Sequence, residues 1–342
     1  MGYLRLRPSH EILSGESADV YFARAERILE REGIDPVVLM EVFSRDSGVL
    51  CGMDEAKNLL AHVLAGEDPA SVTVEALDDG DLFSEKEIVL RITARYRAFG
   101  LYETAMLGML AQSTGWATAA RECVEAAAPR PVINFGARHV HPDITDVLDY
   151  AAIVGGCVGA STPAGARLAG LRPTGTMPHS LVLIFGDTVE AALAFDRDLE
   201  ADVPRIVLVD TFRDEAEEAL RVAHALGDRL YGIRLDTPVE RGRVTADLVT
   251  EIRARLDQEG FGKVTIVVSG GLSPERIRYF NESGAPVDSF AVGSYISGAA
   301  PIDFTGDIKE IDGRPIAKRG RIPGRTESPR LRPVDLAAWR EA

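Results

Sequence analysis

Between residues 205 and 295 the chain alternates short apolar runs with amphipathic stretches, and each run stops on residues a packed core would not choose. Arg205-Ile206-Val207-Leu208-Val209 ends on Asp210, and Gly232-Ile233-Arg234-Leu235 ends on Asp236. The run 264–268 ends on Ser269-Gly270-Gly271, and Phe290-Ala291-Val292 ends on Gly293-Ser294. Brief, continuous apolar runs bounded by turn residues predict strands buried on both faces, as in parallel sheets. The intervening stretches 213–226, 246–258 and 275–282 carry helical spacing, with Gly227 and Gly260 just past two of them. Ser273-Pro274 supplies an N-cap and a first-position proline for the third. Strand starts recur about 25 to 30 residues apart, the size of one crossover unit. The region therefore predicts strand–helix repeats with carboxylates and glycines gathered at the carboxyl ends of parallel strands, where ligands bind in such sheets and barrels.

The first hundred residues are more mixed. Helical spacing covers Val20–Glu32 and 54–65, and the β-branched run 88–92 predicts a strand. Ser84 and Glu87 ahead of that run have capping-box spacing, but its brevity and composition favour the strand. A long helix is predicted over 101–127, with Ala105, Met106, Met109 and Leu110 on one face and Pro129 ending it. A strand at 132–135 opens the second region. Residues 303–332 are rich in Pro, Gly, Lys and Arg without sustained periodicity and are expected to be an extended closing segment.

Composition removes several classes of function. A chain of 342 residues that is 46% hydrophobic and 27% charged has ample material for a core and exceeds one usual domain. Its formal charge of −15 argues against a nucleic-acid partner held by counterion release. No uncharged stretch exceeds 17 residues, and 150–166 is broken by glycines and Pro163, so no membrane partner is expected. Residues 1–16 carry Arg5, Arg7 and Glu11 and lack an apolar secretory core, which makes a cytoplasmic location the simplest expectation. Cys51, Cys123 and Cys157 are far apart and form no C-x-x-C pattern, so buried free thiols are expected.

Nucleotide fingerprints are missing: there is no G-x-x-x-x-G-K-[ST], and Gly155-Gly156-Cys157-Val158-Gly159 does not satisfy G-x-G-x-x-G. Gly270-Gly271 and Gly293-Ser294 instead follow strands directly, where backbone N–H groups can approach phosphate oxygens. Asp210 and Asp236 admit two readings, as helix caps or as ligands for sugar hydroxyls or Mg²⁺. Arg234, two residues from Asp236, is expected on the same side of its strand, giving a phosphate-binding cation or a structural ion pair. His139 and His141 are expected to alternate onto one face beside Arg138 as an anion surface, since no third zinc ligand stands at a recognisable spacing. His179 stands in a loop of small residues, Gly175-Thr176-Met177-Pro178-His179-Ser180.

These segments, with Phe135-Gly136-Ala137-Arg138, Gly159-Ala160-Ser161-Thr162, Asp210-Thr211 and Val292-Gly293-Ser294, occur in the order and approximate spacing of the nicotinate phosphoribosyltransferase family, which the chain resembles in its short form. The likeness reaches Asp19-Val20-Tyr21-Phe22 at one end and 317–324 at the other. It implies a type II phosphoribosyltransferase fold of class α/β: an α/β sandwich domain formed from both chain ends, packed with an irregular α/β barrel. Residues 1–128 would be the N-terminal part of the sandwich with a linking helix, 129–300 the barrel, and 301–342 the segment returning to the sandwich. The implied reaction joins nicotinate to phosphoribosyl pyrophosphate, giving nicotinate mononucleotide and pyrophosphate for NAD synthesis.

Carried over by residue, the resemblance implies that Phe135 stacks on the pyridine ring, with Tyr21 of a second subunit on its other face, in a homodimer or larger assembly with shared sites. Arg138 would hold the carboxylate or a phosphate; Arg234 and Asp236 would take phosphate and ribose hydroxyls; Gly270, Gly271, Gly293 and Ser294 would cradle the 5′-phosphate. His179 would accept phosphate from ATP, oriented by Asp210, and Mg²⁺ would accompany the pyrophosphate or ATP. No cysteine follows Cys157, whereas short relatives often carry a cysteine-rich metal site near the C-terminus, so no zinc is expected. Nicotinamide-using cousins have an aspartate where this chain has Ser161, beside Thr162, so the acid is the expected substrate. The alternatives are a decarboxylating quinolinate enzyme or nicotinamide enzyme of the same fold, a non-catalytic phosphoribosyl pyrophosphate sensor, and an anion-binding tail at Arg314, Lys318, Arg319, Arg321 and Arg325.

Overall fold

The computed structural model describes residues 8–340, and these fall into two compact units. The first comprises residues up to Thr118, the short stretch Leu168–Gly170, and everything from Ala299. The second comprises Ala119–Arg167 and Leu171–Gly298, so the division falls within the helix Glu103–Ala127. Among the described residues no helix is long and apolar enough to cross a membrane.

The first unit is an antiparallel sheet of six strands in the order Arg314–Pro315, Phe304–Ile311, Val37–Ser44, Ile88–Arg95, Thr73–Ala76, Arg332–Pro333. Val38, Met40 and Val42 point with Leu90, Ile92 and Ala94 into one core, which the helices Met53–Val63 and Glu103–Ala127 cover through Leu59, Leu60, Met106 and Leu110. On the opposite face Glu41 and Arg91 stand directly across from each other in register, and Glu75 faces Arg91 from the other side. The Arg91 guanidinium lies 2.8 Å from Glu41 and 3.1 Å from Glu75, and also donates to the Thr326 carbonyl, which ties the late segment to the sheet. At Gly306 a side chain would displace the Met40 methyl, the flexible end of a buried neighbour.

The predicted strand at 88–92 and the helices near Val20–Glu32 and 54–65 form here, although half of a capping box persists, the Ser84 N–H donating to the Glu87 carboxylate at 3.0 Å. Val37–Ser44 and Thr73–Ala76 had no sequence expectation, and the closing segment contains an eight-residue strand, Phe304–Ile311, inside the sheet. Three of the five residues of the basic run are paired internally: Lys318 and Arg321 with Asp307 at 3.5 and 2.5 Å, and Arg325 with Glu75 at 2.8 Å.

The second unit is a parallel sheet of five strands in the order Val132–Asn134, Ser289–Val292, Thr265–Val268, Gly232–Leu235, Ile206–Leu208. Helices Glu215–Leu226, Ala246–Gln258 and Pro274–Glu282 make the crossovers, with Ser273 capping the last as expected. Its first strand pairs with its last, the neighbour relation that barrel closure produces and a doubly wound sheet does not. An isolated parallel bridge between Ile133 and Gly159 continues the sheet past that first strand. From there the chain supplies helices, including His179–Phe185 and Thr188–Asp198, where a regular barrel would have strands. The result is an irregular α/β barrel, and its parallel strands bring all five carboxyl ends to one side.

Candidate functional site

At those carboxyl ends lies a cavity of about 680 Å³, floored by Ala291 and Phe135, with Phe135 packed on a buried cluster of Ile206, Val267 and Ala291. Arg138, Ser161, Thr162, His179, Arg234, Asp236, Gly270, Gly271, Gly293 and Ser294 all line it. An adjoining space of about 510 Å³ is walled by Arg138, His179, Asp210, Asp236, Gly270 and Gly271 and extends to Arg243. A larger groove, about 1030 Å³, runs past Arg205 and Tyr231. Its buried guanidinium is consumed by Asp196 at 3.1 Å and by four carbonyls, and the exposed Arg197, Asp202 and Arg229 on its wall are paired with Asp198, Arg172 and Asp196.

His179 and Asp210 meet although 31 residues separate them. Asp210 extends the Ile206–Leu208 strand, and His179 opens its own helix after Pro178, placing Nε2 2.9 Å from Oδ2 of Asp210. The Asp210 side chain is 2% exposed and the imidazole 36% exposed, so the carboxylate is fixed while the ring faces the cavity. The hydrogen bond to Asp210 raises the imidazole pKa above its usual value; burial opposes this, and the Asp210 and Asp236 charges add to it.

Arg234 and Asp236 project to the same side as expected, with Nη2 3.5 Å from Oδ2. The guanidinium also lies 5.8 Å from the centre of the Phe135 ring. Burial lowers the Arg234 pKa, an effect the Asp236 and Asp210 charges oppose. Ser161 Oγ, Asp210 Oδ1 and Arg234 Nε are buried without a hydrogen-bond partner. Buried polar atoms are normally satisfied, so three such atoms in the walls of two adjoining spaces point to a place where a ligand completes the bonding.

The glycine turns are dictated by space and backbone. Gly270 and Gly271 have φ of +88° and +61°, and a side chain on Gly270 would meet an Asp236 oxygen at 2.9 Å. Gly293 is confined by the His139 ring and the Phe135 carbonyl. The expected alternation of His139 and His141 is corrected, because both lie in 3₁₀ turns, Ala137–His139 and just before Pro142–Ile144, where the strand period does not hold. His139 turns back to Ser297, Nδ1 to Oγ 3.0 Å, while His141 faces outward beside Asp143. Tyr21 lies in the other unit, 57% exposed on its helix, and is not among the cavity residues.

Sequence reasoning missed the residue that joins the Phe135 turn to the Ser161-Thr162 loop. Asp149 is fully buried in the helix Thr145–Val154. Its Oδ1 accepts from Asn134 Nδ2 at 2.8 Å, and its Oδ2 accepts from Thr162 N at 2.9 Å and Thr162 Oγ1 at 2.6 Å. Asn134 Oδ1 in turn accepts from Gly136 N at 3.0 Å. One carboxylate thus ties the Phe135 turn to the Ser161-Thr162 loop. The local signal was a second acid, after Asp146, in a mostly apolar helix, which by itself cannot reveal its partners.

Known proteins resemble this chain in sequence and in fold. Two nicotinate phosphoribosyltransferases of Mycobacterium tuberculosis are similar, one 32% identical over 284 residues and 78% of this chain, the other 30% identical over 306 residues and 86% of it. This chain spans 61% and 65% of their respective lengths. The crystal structure of nicotinate-nucleotide pyrophosphorylase from Pyrococcus furiosus superposes with a TM-score of 0.85 at 43% identity, over 95% of this chain and 82% of that one. The N-terminal and C-terminal domains of quinolinate phosphoribosyl transferase match residues 19–114 and 116–307 in order, and with them the loops around His179, Arg234 and Gly270 acquire a common origin: the chain belongs to the quinolinate phosphoribosyl transferase family.

Proposed function

We propose that the protein transfers the phosphoribosyl group of phosphoribosyl pyrophosphate to the ring nitrogen of nicotinate, forming nicotinate mononucleotide and pyrophosphate, with ATP hydrolysis coupled through His179. The observation that carries this reading is the His179–Asp210 pair, 2.9 Å apart, on the wall of a cavity that also holds Arg138, the Arg234–Asp236 pair and two glycine turns. The pyridine nitrogen attacks the anomeric carbon with its lone pair as the bond to the pyrophosphate oxygen breaks. Positive charge grows on the sugar meanwhile, and the Asp236 carboxylate favours it. Phe135 offers a flat face to the ring, and Arg138 a guanidinium to its carboxylate. Tyr21 would reach the ring's other face from a second copy of the chain.

The partnerless Asp210 Oδ1 and the part-exposed Asp236 are hard oxygen donors of the kind Mg²⁺ uses. Among the described residues no group of three or more metal-ligating side chains converges, so phosphates would supply its remaining ligands. Bound there, Mg²⁺ would offset the charge of the departing pyrophosphate.

At the Phe135 end the cavity has one guanidinium without a carboxylate partner, Arg138, since Arg234 is engaged with Asp236. One cation suits one carboxylate. The names of the mycobacterial relatives support nicotinate. Pyrophosphorolysis of a nicotinate nucleotide, in the name of the Pyrococcus protein, returns quinolinate when it is carboxylating, so that name stands on the side of quinolinate. Quinolinate with decarboxylation is the second reading, favoured by the matched domain family. Incubating the protein with phosphoribosyl pyrophosphate, Mg²⁺ and each of nicotinate, nicotinamide and quinolinate, with and without ATP, separates them. Mononucleotide should form fastest from nicotinate, and His179→Ala should lose both ATP stimulation and an acid-labile phosphoenzyme. Carbon dioxide release with quinolinate as the preferred substrate would decide for the second reading.

A further inference from the structure

We infer that Arg243 is a phosphoryl-binding residue of this site, a guanidinium set over the Gly270–Gly271 turn to hold the 5′-phosphate of the phosphoribosyl substrate; the assignment rests on the proposed function and extends it. Arg243 has a φ of +67°, one of three non-glycine residues with positive φ among those described. It follows the turn Val239–Arg241 and Gly242, itself at +89°, and its N–H donates to the Pro238 carbonyl at 3.1 Å. A left-handed backbone is unfavourable for any side chain with a Cβ, so glycine would suit this position better on conformational grounds. The chain has arginine there.

The loop's path aims that side chain at the site. A side chain on Gly271 would collide with the Arg243 guanidinium, which therefore rests directly against the glycine turn. Arg243 is half-buried in the wall of the 510 Å³ space yet makes no ion pair or side-chain hydrogen bond among the described residues. The surrounding carboxylates are already engaged: Asp210 with His179 at 2.9 Å, Asp236 with Arg234 at 3.5 Å, and Glu215 with Thr237 at 2.8 Å and Arg241 at 3.8 Å. A guanidinium with its fork of donors unspent lies next to consecutive left-handed glycines and just ahead of the helix Pro274–Glu282. That combination complements a phosphate monoester, which takes two parallel N–H donors from arginine and further donors from the backbone.

The test uses the full-length protein and two probes that divide the substrate, ribose 5-phosphate and inorganic pyrophosphate. Titration calorimetry on wild type, Arg243→Gly and Arg243→Lys reads each affinity. Arg243→Gly should weaken ribose 5-phosphate by about 10- to 100-fold, as expected for a lost charge-assisted fork, and leave pyrophosphate within about twofold. Its melting temperature should be equal to or above that of wild type, because glycine relieves the backbone. Arg243→Lys, which keeps the charge without the fork, should fall between the two. Unchanged ribose 5-phosphate affinity in Arg243→Gly overturns the inference, as does a lowered melting temperature with binding intact, which would make Arg243 a structural residue. Loss confined to pyrophosphate overturns the assignment to the 5′-phosphate. A wild-type protein that binds ribose 5-phosphate but converts no pyridine carboxylate would sink the proposed function and leave this site standing; one that binds no ribose 5-phosphate sinks this site.

Discussion

Removing the Asp149 carboxylate should loosen the Phe135 turn and the Ser161-Thr162 loop and destabilise the barrel unit, by an amount the bonding fixes to order of magnitude. Asp149→Ala deletes an acceptor of three hydrogen bonds at 2.6 to 2.9 Å and strands the donors of Asn134, which is 0% exposed, and of Thr162, which is half-buried. A bond to a charged acceptor contributes about 1.5–3 kcal/mol, and a stranded buried donor costs about 1–3 kcal/mol. The Thr162 hydroxyl can turn elsewhere but the Asn134 amide cannot, so the total should be about 3–5 kcal/mol rather than the full sum. Asp149→Asn is nearly isosteric and still conflicts. Whichever way its amide points, its NH₂ faces a donor, and an Asn134 flip to accommodate it would take the acceptor from Gly136 N. That variant should lose about 1–3 kcal/mol. For a unit of this size each kcal/mol is worth about 2–4 °C, so calorimetry should rank wild type above Asp149→Asn above Asp149→Ala, with the last lowered by at least about 6 °C. Activity assays should show KM for the pyridine substrate rising in Asp149→Asn at temperatures where it stays folded. A melting temperature for Asp149→Ala within about 2 °C of wild type would refute the assignment of this carboxylate as the tie between the two loops.

The His179–Asp210 pair makes a signed prediction in pH. The folded imidazole pKa lies above its ordinary value of 6.5, so the stabilisation is fully present below that value and is lost as pH rises through the folded pKa. The melting-temperature gap between wild type and Asp210→Asn should therefore be widest near pH 6 and narrow toward pH 9, and a gap that widens with pH would contradict the pairing. Ser161→Asp should cut the preference for nicotinate over nicotinamide by about tenfold or more through carboxylate repulsion, and equal kcat/KM ratios in wild type and variant would remove Ser161 from substrate choice. In the first unit, Arg91→Met leaves Glu41, 1% exposed, buried without its guanidinium, and should cost about 3–5 kcal/mol in denaturant unfolding. An unchanged midpoint would show that the Glu41–Arg91–Glu75 row does not hold the sheet.

What the amino-acid order determined by itself was local. The four apolar runs between 205 and 295 form strands because parallel strands buried on both faces are continuous apolar stretches, and their ends are punctuated by the Asp, Gly and Ser residues that now line the cavity. Ser273-Pro274 starts its helix where capping chemistry says it must, and Arg234 and Asp236 share a side because the strand period is two. Tertiary structure decided whatever depends on a distant partner. Val37–Ser44 carries strand formers in Val37, Val38, Val42 and Phe43, but its place at the centre of the sheet is set by Phe304–Ile311 and Ile88–Arg95 pairing with it, and Gly306 weakens the signal of its neighbour. The His139-x-His141 alternation failed because 3₁₀ turns replace the strand it presumed. His179 meets Asp210, Asp149 meets Thr162, and Arg243 comes to rest on Gly271, only through the crossing of strands and loops. Hydrophobic period and capping act within a few residues, while contacts between loops are set by barrel closure, which no window of sequence contains.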